Sequence, residues 1–273
     1  MTKNYTSEAE FLKDYDSSQF EKLSLTADIL IFSVSDEEQD NYRKRSKKHF
    51  SVLMLKRDKY PYKDKWNLPG SFVGAREVID AATKRILLSE TGLHDIYMEQ
   101  LYTFDAVERD PRMRIISTAY MALIDKNKLD HKANPDAVWF NIEFVEKDNQ
   151  VTCILENGDT KIKIKAVKVL KEKTSGDYTY RITENKDLAF DHALIILYGI
   201  SRMRNKIEYT DIVFNMMPKL FTLGELQQVY EVILGEKLLD PAFRRMIQRK
   251  VTKTDKQQTG AGHRPSALFK YKG

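Results

Sequence analysis

Residues 70–93, GSFVGAREVIDAATKRILLSETGL, join a glycine-bearing turn to a helix. The helical pattern begins near Glu77, places Val78, Ala81, Ala82, Arg85 and Leu88 to Glu90 over three turns, and stops at Thr91-Gly92, because glycine readily takes the left-handed conformation that closes a helix. Strand-like sequence flanks it on both sides. LTADILIFSV (25–34) and HFSVLMLKR (49–57) are rich in β-branched and aliphatic residues and predict neighbouring strands, followed by the turn-rich KYPYKDKWNLPG. The connection between those strands, DEEQDNYRKRSKK (36–48), nearly cancels its own charge and reads as a solvated loop, with RKRSKK as the part able to touch a phosphate.

Downstream, strands are predicted at 99–107, in RIISTAYMALI (114–124) and in AVWFNIEF (137–144). QVTCILENGDTKIKIKAVKVL (150–170) and DYTYRITE (177–184) alternate like the strands of a meander, with Asn157-Gly158-Asp159 at a turn. LAFDHALIILYGISRMR (188–204) predicts a long apolar-periodic helix, after which the chain turns helical and basic. The domain boundary is therefore expected at residue 204, giving units of 1–204 and 205–273.

Composition narrows the classes. A chain of 273 residues, 42% hydrophobic and 11% aromatic, can bury a sizeable core. Cys153 is the single cysteine, which excludes an intramolecular disulfide and a cysteine-rich zinc site and fits a reducing compartment. The polar N-terminus has no apolar run of the signal-peptide kind, and no apolar stretch approaches a membrane span, so a cytoplasmic protein that does not enter membranes is expected. Net charge is +5, unevenly placed: residues 240–273 carry nine Lys or Arg against Asp240 and Asp255, while the remainder is slightly acidic. Such polarisation is the electrostatic footprint of a phosphate partner, although a solvated basic tail would look the same on charge alone.

The order of elements in the tail is more specific. YTDIVFNMMPKL (209–220) reads as a short helix broken at Pro218. Thr222-Leu223-Gly224-Glu225 is a capping box, followed by Leu226, Val229, Tyr230, Ile233 and Leu234 at helical spacing and closed by Gly235. Asp240 as a capping side chain and Pro241 in the first turn open PAFRRMIQRKV, which sets Phe243, Met246, Ile247 and Val251 on one face and Arg244, Arg245, Gln248 and Arg249 elsewhere. VTKTDKQQTGAGHRPSALFKYKG then reads as strand, basic loop with His263-Arg264-Pro265, and returning strand. Helix, turn, basic helix and hairpin predict a winged helix-turn-helix whose DNA-contact candidates are Arg244, Arg245, Gln248, Arg249, Lys250, Lys253, His263 and Arg264.

The opening stretch resembles the Nudix signature, aligned on Glu77, Arg85, Glu90, Gly92 and Leu93, with WNLPG before it. In that pattern three carboxylates at the positions of residues 86, 89 and 90 share a helix face and hold Mg²⁺ by hard oxygen ligands. Here Ile86 supplies no oxygen and Ser89 a neutral one. Glu77, Arg85 and Glu90 are remnants: the first two are expected to pair across the turn, and Glu90 is left as a weak metal candidate or a plain surface carboxylate. Losing two of three anchors should nearly abolish turnover, so no catalytic residue and no required cofactor are expected, with Mg²⁺ relevant only to residual hydrolysis. Resemblance to ADP-ribose-recognising Nudix domains makes Arg57, Trp66, Gly70, Arg112 and Arg114 candidates to line a sugar-diphosphate site; taken singly, each Arg is equally an ordinary surface cation and Trp66 a core aromatic.

A degenerate Nudix box ahead of this tail is similar to the NrtR family, Nudix-related transcriptional regulators of NAD metabolism, with LTADILIF, LAFDH, FTLGELQQVYEVILG, FRR and HRP-SALFKY in that family's order. The resemblance implies an α/β fold, an α/β/α sandwich around a mixed sheet, followed by a small C-terminal winged helix-turn-helix domain. The stretch at about 143–187 looks longer than a compact member needs and is expected to be an added hairpin. The implied function is a repressor that binds operator DNA as a homodimer and senses ADP-ribose, a related NAD metabolite or, as in a related branch, a sugar. The competing readings are a Mg²⁺-dependent Nudix pyrophosphohydrolase with an accessory C-terminal domain, and a nucleic-acid binder without an effector.

Overall fold

A computed structural model describes residues 5–36, 47–125, 134–172, 174, 176–258 and 265–273. Most of RKRSKK, and both His263 and Arg264, lie outside the described residues.

The strands β1 (Ser24–Asp36), β2 (Lys48–Lys56), β3 (Trp66–Asn67), β4 (Gly70–Phe72), β5 (Tyr97–Phe104), β6 (Ile115–Leu123), β7 (Ala137–Lys147), β8 (Gln150–Asn157), β9 (Thr160–Leu170) and β10 (Tyr178–Asn185) make one sheet. Its order is β10-β9-β8-β7-β2-β1-β6-β5, with β3 on β2 and β4 on β1. The β1–β6 pair is parallel and the other pairs antiparallel, so the sheet is mixed. β1 is central because its apolar run is continuous rather than alternating: residues 27–34 are buried, as befits a strand covered on both faces.

Helix α1 (Glu8–Asp14) buries nothing. α2 (Ile79–Thr91) covers one face of the sheet, where Ile86 and Leu87 pack with Ala27, Ile29, Ile31, Leu53, Ala122 and Ile124. α3 (His192–Tyr209) covers the other, in a larger core shared with α4 (Leu223–Leu234) and α5 (Asp240–Ile247). The result is the expected sandwich. Close packing fixes α3 on β1 at Gly199, where an added Cβ would sit 1.8 Å from Leu30 Cδ2. α3 runs unbroken through residue 204, so the expected boundary falls inside a helix, and one core holds side chains from both sides of it.

The 143–187 stretch continues β7 and adds β8, β9 and β10 as a meander, with the turn predicted at Asn157-Gly158-Asp159. Three local expectations differ from what is found. α2 begins at Ile79 because the Glu77 carboxylate is held in the preceding loop; its buried face is Ala82, Thr83, Ile86, Leu87 and Thr91, and Val78 is 71% exposed. α5 ends at Ile247, with Val251 already in the strand β11 (Val251–Gln258) that pairs with β12 (Ser266–Tyr271). Asp240 is the first residue of α5 rather than its cap, and it accepts a 2.9 Å hydrogen bond from Gln227 Nε2 across the turn. Among the described residues no helix is long and apolar enough to cross a membrane.

Candidate functional site

The turn into α2 is clamped. Arg85 donates from Nε to Glu77 Oε1 at 2.9 Å and from Nη2 to Glu77 Oε2 at 2.8 Å, and its Nη2 also reaches the Phe72 carbonyl at 3.2 Å. Gly74 N–H donates to the same carboxylate. The Arg85 bonds, then that amide, push the Glu77 pKa down to about 2, so the clamp is charged across the working pH range. Both side chains are used for geometry.

The metal position does not fit a metal. Ile86 is 3% exposed and belongs to the core beneath α2. Ser89 Oγ donates to the Ile86 carbonyl at 2.8 Å, closing the turn of its own helix. Glu90 accepts from the Asn134 side-chain amide. A hard divalent cation wants several converging anionic oxygens, and among the described residues no group of three His, Cys, Asp or Glu is arranged to hold one.

Beside the start of β1 lies a buried ionic network that the sequence did not single out. Arg109, 6% exposed, donates to Asp191 from Nε at 2.8 Å and from Nη2 at 2.6 Å, and lies 3.5 Å from Asp28. Burial opposes the Arg109 charge, but the bonds to Asp191 and the fields of Asp191, Asp28 and Asp110 outweigh it, and its pKa lies above the usual arginine value. Ser117 Oγ donates to Asp28. His192 Nδ1 accepts from Leu68 N–H at 2.9 Å, its Nε2 stands 3.8 Å from Asp28, and burial lowers its pKa, keeping the ring neutral. Gly70 is glycine for a steric reason: a Cβ there would lie 2.1 Å from Asp28 Oδ1.

Around this network the candidate pocket residues divide. Arg57 and Arg112 converge on one ring: their guanidinium carbons lie 4.9 and 5.8 Å from the centroid of Phe190, and Arg112 also lies 5.4 Å from that of Phe72. Tyr62 meets Phe190 edge-on at 4.8 Å. Arg57 donates to the Pro61 carbonyl at 2.9 Å; burial, then the charge of Arg112, lowers its pKa. Arg112 is held by Asp110 through Nε at 2.9 Å and Nη2 at 2.8 Å. Phe190 has φ +51°, a conformation that costs a bulky residue about 1–3 kcal/mol, while a cation over a ring returns about 0.5–2 kcal/mol. Trp66 goes elsewhere: its indole packs edge-on against Phe140 at 4.8 Å, and its backbone pairs with 187–189. Arg114 goes elsewhere too, donating to the carbonyls of Asp105 and Ala106. Asp28, Arg109, Asp110, Phe190, Asp191 and His192 are the additions; an acid inside the apolar LTADILIFSV was the one local signal for Asp28.

The second candidate site is the tail. α4 has the predicted capping box, Thr222 N–H donating to Glu225 Oε2 at 2.7 Å and Glu225 N–H to Thr222 Oγ1 at 3.1 Å, and Gly235 ends it with φ +78°. Tyr230 of α4 meets Phe243 of α5 at 5.4 Å, which locks the pair. The apolar face of α5 turned inward is Phe243 and Ile247; Met246 is 38% exposed. Arg244, Arg245, Gln248 and Arg249 are exposed, and the three guanidinium groups form no ion pair among the described residues. Lys253 is exposed on β11. Lys250 departs from expectation: its ammonium donates to the Thr210 carbonyl at 3.1 Å and lies 2.8 Å from Asp211, which also accepts from Tyr271 at 2.9 Å. It ties the tail to the end of α3 instead of facing outward.

A Nudix fold with Ile86 in the core at one of the three metal positions, continued into a winged helix whose basic face forms no ion pair among the described residues, defines a class of Nudix-related DNA-binding proteins. Family models of the NUDIX domain and of the NrtR DNA-binding winged helix domain match residues 37–154 and 213–271. The ADPR responsive transcriptional repressor NtrR of Acinetobacter baylyi is 32% identical over 275 residues, spanning 98% of this chain and 90% of that protein. Among solved structures, a MutT/nudix family protein from Enterococcus faecalis superposes with a TM-score of 0.69 at 27% identity, covering 98% of this chain and 94% of that one. Shewanella oneidensis NrtR complexed with a 27mer DNA gives 0.61 at 25% identity, covering 91% and 93%. The chain belongs to the NrtR family of Nudix-related transcriptional regulators.

Proposed function

We propose that this protein is a cytoplasmic transcriptional repressor that holds operator DNA as a homodimer and releases it when its Nudix unit, about residues 1–204, binds ADP-ribose or a related NAD metabolite. The observation that carries the reading is the pairing, in one chain, of a cationic site where Arg57 and Arg112 converge on Phe190 with a helix whose arginines are exposed and form no ion pair among the described residues. A relative named as an ADPR responsive repressor and another solved with DNA support it. The unit at 205–273 would set α5 in the major groove and the β11–β12 hairpin on the phosphates. No divalent cation is needed for this cycle.

The test is a mobility shift on the protein's own promoter region with random DNA as competitor, repeated with ADP-ribose, with an arabinose-type sugar, and with chelator. Sequence-selective binding relieved by ADP-ribose, chelator or not, is expected. Binding that ignores sequence, or ADP-ribose broken down rapidly on adding Mg²⁺, would count against it. In the same assay Arg245→Ala should weaken operator binding by about 1–3 kcal/mol and relax selectivity if the side chain reads a base. Lys253→Ala should weaken all sequences alike and lower the salt slope by about one; equal effects of both on random DNA would remove α5 from the reading position.

A further inference from the structure

The same pocket contains an aromatic ring where a ligand would be expected. Phe190 sits against two guanidinium groups, with Tyr62 at its edge and His192 5.5 Å away. Its backbone is in the left-handed region, which a phenylalanine adopts only when its surroundings hold it there. One residue on, Asp191 anchors to Arg109, and at His192 α3 begins.

The far end of α3 is bonded to the winged helix. Arg204 donates to the Ile233 carbonyl at the end of α4 at 2.8 Å and to the Phe144 carbonyl of β7 at 3.2 Å. Beyond its last turn, Thr210 and Asp211 hold Lys250, just past α5, and Asp211 holds Tyr271 of β12. The helix between Phe190 and Thr210 is 18 residues long, about 27 Å.

We propose that Phe190 is a built-in occupant of the effector pocket: its ring lies against Arg57 and Arg112, the cations that a nucleoside diphosphate would engage, and its expulsion shifts α3 and with it the winged helix. The proposal rests on the reading that this pocket is the effector site. Phosphate oxygens accept two hydrogen bonds from each guanidinium, which a ring face cannot do, so the diphosphate displaces the ring. Leaving the cations frees Phe190 to relax its backbone, and that relaxation is available only to the ligand-bound form. The ligand thereby favours one arrangement over the other, as a switch requires. With its ring held on the two cations, Phe190 keeps the pocket largely closed to ligand; a competent form populated at about one part in ten weakens apparent binding tenfold.

Full-length wild type, Phe190→Gly and Phe190→Asn are titrated with ADP-ribose by calorimetry, and release of operator DNA is followed in parallel against each protein's own affinity without ligand. Glycine and asparagine both tolerate the positive φ, so each keeps the backbone and deletes the ring; thermal melts confirm folding. The expected result is ADP-ribose binding about tenfold tighter in both variants, with the concentration that releases DNA raised at least about tenfold or release lost, because no ring is expelled to move α3. Unchanged or weaker binding in both variants, or unchanged release, overturns the occupant role alone. A wild type that does not bind ADP-ribose overturns it together with the functional reading.

Discussion

Replacing Arg109 by alanine is expected to lower the unfolding free energy by about 3–5 kcal/mol, read from urea denaturation midpoints at constant slope. The magnitude follows from burial. Asp28, Asp110 and Asp191 all surround this guanidinium, and Asp28 and Asp110 are themselves buried. Removing the cation takes the counter-charge from Asp191 and from buried Asp28, leaving Asp28 with the neutral Ser117 hydroxyl, which costs more than the pair itself contributes. Arg109→Lys should recover little, since an ammonium cannot reproduce the two-point bond to Asp191. A loss below about 1 kcal/mol would mean that the network behaves as an exposed ion pair does.

Ile86→Glu is the next largest effect. It restores one acid of the metal-binding pattern, and in this molecule it should cost about 2–5 kcal/mol, since it deletes a buried aliphatic side chain and puts a carboxylate among Ile29, Leu53 and Leu87. The cost depends on pH with a definite sign. Burial would raise the carboxyl pKa in the folded state above its unfolded value, so the folded state binds the extra proton and the variant loses stability as pH rises from about 4 toward neutrality. Denaturation at pH 5 and pH 8 measures it, and an equal penalty at both would place residue 86 at a solvated surface. Hydrolysis of ADP-ribose with Mg²⁺ should not appear in this variant, because Ser89 remains a neutral oxygen turned onto its own helix.

The winged helix is legible in the sequence because each of its elements carries its own signals: Thr222 and Glu225 at one end of α4, Gly235 at the other, and a proline in the first turn of α5. The clamp of Glu77 and Arg85 is legible for a similar reason, since both partners lie within one motif. The ionic network is not. Arg109 and Asp191 are 82 positions apart, one in the connection between β5 and β6 and the other just before α3, and neither has a neighbour in sequence that announces the other. Trp66 and Lys250 show the converse. Their residue types suit a ligand pocket and a phosphate contact, yet packing on Phe140 and the carboxylate of Asp211 claim them first. The inward side of α2 is not legible either, because periodicity gives the repeat of a helix more readily than its rotation, and Glu77, fixed in the loop, shifts its start.

The contact between Gly199 and Leu30 restricts how the long helix is able to move. With no room for even one methyl group between them, α3 has no slack on that side, and lifting it off β1 would open a void that nothing nearby can fill. What is left is a glide along its own length or a small rotation about it. Whatever message enters beside Asp191 therefore reaches the DNA-binding end as a change of register, and a bulkier residue at position 199 would jam that travel before it reached Arg204.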